Sequence, residues 1–137
     1  TDILGVNAAY SADGYGVAVA YVSNDGGTST DTTYWGVNGY YTFDIASLSV
    51  GYETSDDGSA DATGYFVGLS FPEVGPGSVN VAAATVGLTS DSETEYMVYE
   101  ASYSYPVNDG MTITPGVFIK EDTTDETGVA VKASFSF

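Results

Sequence analysis

Apolar and polar positions alternate along this chain with a period of two. Leu4, Val6, Ala8 and Tyr10 form a first stripe, and Tyr15, Val17, Val19 and Tyr21 a second, with Gly16, Ala18 and Ala20 between them. Further stripes follow at Trp35, Val37, Gly39, Tyr41; Leu48, Val50, Tyr52; Tyr65, Val67, Leu69, Phe71; Val79, Val81, Ala83; and Met97, Tyr99, Ala101, Tyr103, Tyr105. The last two are Met111, Ile113, Pro115, Val117, Ile119 and Val129, Val131, Ala133, Phe135, Phe137. Strict alternation over such lengths predicts β-strands with one apolar face, and no helical period competes with it. The expectation is nine antiparallel strands in which all these residues share one face.

The connections separate into two kinds. Short turns fall near positions 13, 43, 74 and 108, and acidic loops fall at 24–31, 55–61, 87–95 and 121–126, a hairpin repeat with loop centres about every 30 residues. Each run is near the roughly 9–11 residues with which a tilted strand crosses a bilayer. Aromatic residues stand at both ends of several stripes, as they do at the two interfaces of a membrane barrel. No run approaches the 18 or more apolar residues of a membrane helix, so any crossing is by strands. The fold class expected is therefore all-β, an antiparallel up-and-down transmembrane β-barrel. Residues 1–137 are read as one barrel domain or as the C-terminal part of a larger barrel. An odd count of nine cannot close with antiparallel pairs alone, so upstream strands of the same barrel are expected partners. Residues such as Gly16, Ala18, Ser49, Gly51, Gly64, Gly68 and Ala82 are also too small to fill a narrow barrel. The start at Thr1, which leads straight into DILGVNAAY, reads as that of a mature chain or a fragment.

Composition narrows the chemistry. The 137 residues hold no cysteine and no histidine, which removes thiolate nucleophiles, disulfides and the usual zinc ligand sets. With 19 acidic and 2 basic residues the net charge is −17, which repels nucleic acid. Carboxylates gather in the loops: Asp56, Asp57 and Asp61 in one, Asp91, Glu93 and Glu95 in another. Such oxygen donors suit Ca²⁺ or Mg²⁺, but neither set has the spacing of a known calcium loop, so diffuse cation binding or a solvated charged surface fits better than a built site. Carboxylate pairs without a histidine or metal constellation give no catalytic centre, and no enzyme activity is expected.

On the small-residue face stand Glu53, Glu100, Gly116, Phe118, Lys120 and Lys132, together with Tyr34, Tyr40, Phe66 and Tyr96. Counting back from the PVNDG turn sets Glu100 opposite Pro115 or Gly116. Counting from the EDTTDET hinge sets Lys132 at the same level, so a Glu100–Lys132 ion pair over Gly116 is expected.

The segment YEASYSYPVNDGMTITPGVFI, Tyr99 to Ile119, resembles the penultimate hairpin of cyanobacterial outer-membrane porins and the related carbohydrate-selective porins; FPEVGPGSVNVAAATVG resembles an upstream hairpin of that family. The specific likeness covers the last half of the chain. It implies location in the outer membrane, contact with its lipid, passive diffusion of inorganic ions and small hydrophilic solutes, and a homo-oligomer, a trimer by resemblance. Glu53, Glu100, Gly116, Phe118, Lys120 and Lys132 would then line the pore, and the acidic excess would favour cations. The competing reading is a secreted soluble β-sandwich or fibre-forming subunit of the cell surface, which would need the apolar face packed inward on a second sheet.

Overall fold

A computed structural model describes residues 2–27, 31–58, 61–86 and 96–136. They form one nine-stranded antiparallel sheet in sequence order: β1 (Ile3–Ala12), β2 (Tyr15–Asn24), β3 (Thr32–Thr42), β4 (Ser47–Asp56), β5 (Asp61–Val74), β6 (Gly77–Val86), β7 (Tyr96–Asn108), β8 (Met111–Glu121) and β9 (Glu126–Phe135). Every strand pairs only with its neighbours in the chain, and among the described residues the sheet is open, with β1 and β9 at its edges.

The register puts the alternating stripes on one face. Val19 sits opposite Ala8 and Val37, Val37 opposite Tyr52, Tyr52 opposite Tyr65, and Val67 opposite Ala83. Ala83 then faces Tyr99, Tyr99 faces Ile119, and Val117 faces Val129. This is the shared face the alternation predicts, and Tyr15, Val17, Val19 and Tyr21 lie on it together. The final Phe137 lies outside the described residues.

Nothing covers that face among the described residues. Among the described residues the buried apolar ones are Ala46 and Ala62, whereas Leu4, Val19, Val67, Val117 and Val131 are all exposed. A sandwich would bury these side chains under a second sheet, and no second sheet is present among the described residues. A face this apolar and this bare in water would be an aggregation surface; against lipid it needs no partner.

The connections differ from the sequence expectation in length. At one end of the sheet the links are residues 13–14, 43–46, 75–76 and 109–110; at the other, 25–31, 57–60, 87–95 and 122–125. Three of the acidic loops are thus shorter than their polar stretches, because backbone pairing runs on past the apolar stripe, furthest in β4 and β5: Thr54 faces Thr63, Ser55 faces Ala62 and Asp56 faces Asp61. Ladder hydrogen bonds do not depend on side-chain polarity, so charged residues extend the strands wherever the turn lets them.

Two devices hold the turn end. Gly14 and Gly75 take φ of +83° and +62°, a conformation that costs glycine little and other residues more. Pro115, placed in the interior strand β8, cannot donate to the ladder, and the β7–β8 pairing passes from Ser102–Gly116 to Tyr105–Ile113 across it. The Ser104 and Thr114 hydroxyls hydrogen-bond at 3.0 Å inside that gap and tie the two strands together there.

Candidate pore wall

Aromatic rings gather at both ends of the apolar face. At the turn end Tyr10 and Tyr15 lie 6.0 Å apart, Tyr41 and Phe43 4.8 Å, and Tyr103 and Tyr105 6.5 Å. The Tyr103 hydroxyl also donates to the Val74 carbonyl at 3.0 Å, closing over the β5–β6 turn. At the loop end Trp35 and Tyr52 are 5.1 Å apart and Tyr52 and Tyr65 5.3 Å, and the Tyr99 hydroxyl donates to Glu121 at 3.1 Å. Tyr15 and Tyr21 stand six residues apart on β2. That separates the two belts by about 20 Å along the strand at ~3.4 Å per residue. An aliphatic band between two aromatic belts is what a strand-built wall shows to a bilayer, with ring bodies at the hydrocarbon edge and polar tips in the headgroups.

The opposite face is small and polar. One row crosses the sheet obliquely from the turn end of β2 to the loop end of β9, through Gly16, Tyr40, Ser49, Gly68, Ala82, Glu100, Phe118 and Gly128, each the cross-strand partner of the next. The large side chains on this face lie down on glycines. The Tyr40 ring covers Gly16, the Phe118 ring covers Gly128, and Phe66 covers Gly68 so closely that a Cβ there would meet its ring at 2.7 Å. Aromatics folded flat in this way leave the wall thin and the space in front of it open.

The sequence-selected residues take these places. Glu53, Glu100, Gly116, Phe118, Lys120 and Lys132 all belong to the small-residue face, as do Tyr34, Tyr40, Phe66 and Tyr96. The expected Glu100–Lys132 pair over Gly116 is not formed. Glu100 faces Phe118, Gly116 faces Ser102, and Lys132 faces Thr114, so the two charges are four residues apart along β8, or ~14 Å at about 3.4 Å per residue. The miscount has a simple cause. The β7–β8 pairing centres on Asp109 rather than on Asn108, the middle of PVNDG, and the β8–β9 pairing centres on Thr123 rather than on Thr124, the middle of EDTTDET; each residue of slip in a turn centre moves a cross-strand partner by two, Glu100 to Phe118 and Lys132 to Thr114.

Lys120 has partners that sequence reasoning missed. Its Nζ contacts Asp122 at 3.1 Å and lies 4.4 Å from the centre of the Tyr96 ring, so this cation belongs to the loop-end rim. In the loop, the Thr123 N–H, then Lys120, hold the Asp122 carboxyl below the usual carboxylate range. The Lys120–Asp122 spacing of two within a hairpin loop was a readable signal.

Of the loop carboxylates, Asp56 and Asp61 face each other across β4 and β5, and Asp56 accepts the Gly58 N–H at 2.6 Å. Among the described residues no three acidic side chains come together as a metal ion would require. Asp91, Glu93 and Glu95 lie outside the described residues.

A two-faced sheet with belts of this kind has one common setting. A sequence model of Gram-negative porins matches residues 1–128. The chain belongs to the Gram-negative porin family. Comparisons with curated proteins and with solved structures give no match. Membership places this porin in the outer membrane.

Proposed function

We propose that this porin forms a passive pore for inorganic ions and small hydrophilic solutes and that the pore favours cations. The observation that carries the reading is the division of the sheet into an uncovered apolar face with two aromatic belts and an opposite face of glycine, alanine, serine and flattened rings. The cation preference rests on the 19 acidic against 2 basic residues, with one of those two, Lys120, paired to Asp122. Negative charge at the mouth and wall raises the local concentration of cations through its field. No catalytic step is assigned to the chain.

β1 and β9 run in the same direction, as the first and last strands of a nine-stranded up-and-down sheet must. Direct closure between them would be a parallel pair, and an open edge is not tolerated in hydrocarbon. The reading therefore has the edges paired by an odd number of further strands of the same barrel, with a homo-oligomer, trimeric by family resemblance, as the assembled form. Reading the loop end as extracellular follows from the short-turn, long-loop asymmetry of bacterial barrels. Diffuse Ca²⁺ or Mg²⁺ binding at the acidic loops belongs to the same proposal.

Reversal potentials across a KCl gradient in planar bilayers test the selectivity. The expected result is a potential of cation-selective sign that shrinks as salt rises toward 1 M, where the screening length falls to about 3 Å. Anion preference at low salt would refute it.

A further inference from the structure

The small-residue face is hollowed over β2 to β6 into an open trough of about 780 Å³. Glu53 is the one charged residue that lines it among the described residues. The glycines on either side, Gly36 on β3 and Gly64 on β5, are its cross-strand partners, so the carboxylate stands in a clearing. The Glu53 side chain lies down on Gly64: a Cβ at that position would meet Cγ at 2.9 Å and Oε1 at 3.0 Å. Glu53 is exposed and makes no hydrogen bond or ion pair among the described residues. Tyr34 faces Ser55 and Phe66 faces Gly51, so both aromatics stand at positions diagonal to Glu53, and the Phe66 ring lies away from the carboxylate, over Gly68, as part of the wall of the hollow.

From this we infer that Glu53 and its hollow form a resting site for small organic cations, solutes with one ammonium or guanidinium group on a short carbon body, on their way through the pore. The inference deepens the pore reading and rests on it. One carboxylate balances one positive head. A Ca²⁺ ion takes six to eight oxygens, more than this largely apolar hollow supplies, whereas a carbon body gains from its aliphatic and aromatic walls.

The test is a titration of the full chain, folded in detergent micelles, with n-butylammonium and with neutral n-butanol, read at the backbone amides of Gly36 and Gly64 by NMR. Saturable shifts with the ammonium and none with the alcohol are expected. Glu53→Gln should weaken binding about two- to five-fold, the range of an exposed charge pair, and Gly64→Ala, which lifts the carboxylate off the wall while keeping its charge, should weaken it too. Equal binding by Glu53→Gln, or equal shifts with butanol, would overturn the site. Bilayer conductance separates the two claims: protein that binds butylammonium but passes no current would sink the pore reading and leave the site standing.

Discussion

Val37 and Ser49 show how much one residue's direction decides. Val37 lies between Val19 and Tyr52 on the apolar face, and Ser49 lies between Tyr40 and Gly68 on the other. An arginine at Val37 would place a charge in the hydrocarbon between the two aromatic belts, at a cost of up to about 2–4 kcal/mol. Arginine at Ser49 would reach into water. Unfolding by denaturant in lipid vesicles should therefore show Val37→Arg strongly destabilised and Ser49→Arg little changed; equal effects would mean that the faces are misassigned. At Asp122, outside the spanning strands, the sign of a pH effect follows from its lowered pKa. A carboxyl more acidic in the folded state adds stability above its unfolded pKa, and that contribution is lost as pH falls through the folded value. Its side-chain carbon in NMR should titrate below the ordinary carboxylate range, and Lys120→Met should move the midpoint up part of the way, because the Thr123 N–H remains. A midpoint unmoved by Lys120→Met would remove the lysine from the account.

At the scale of strands, the β7–β8 pair depends on a repair. Pro115 interrupts its ladder, and the Ser104–Thr114 hydroxyl bond spans the interruption. Thr114→Val keeps the shape and loses the bond, so it should cost about 0.5–1.5 kcal/mol, whereas the same change at Thr112, whose hydroxyl has no such bond, should cost less; a double-mutant cycle with Ser104→Ala should show the coupling. The strands themselves were legible in the sequence because a face is fixed by parity: once Tyr15, Val17, Val19 and Tyr21 are placed together, hydrogen bonding leaves the neighbours little choice. Cross-strand level was not legible. It depends on where each turn is centred, and both PVNDG and EDTTDET offer several choices, so Glu100 and Lys132 were expected to meet and do not. The flattening of Tyr40 on Gly16 and of Phe118 on Gly128 was hidden for the same reason, since those partners become neighbours only through register. Glu53 was visible as a wall residue, but its clearing between Gly36 and Gly64 was not.

At the scale of the molecule, the chain has neither a conventional core nor a second layer among the described residues, and its stability must come from strand pairing and from the lipid that the apolar face meets. The most direct test of that claim is a site-by-site measurement of solvent in lipid bilayers along β2. The natural chain has no cysteine, so single cysteines at Val17, Ala18, Val19 and Ala20 can each carry a spin label. Alternation is expected: labels at Val17 and Val19 relaxed by oxygen dissolved in the lipid, and labels at Ala18 and Ala20 relaxed by a water-soluble nickel reagent. The opposite phase, or the same response at all four positions, would contradict it.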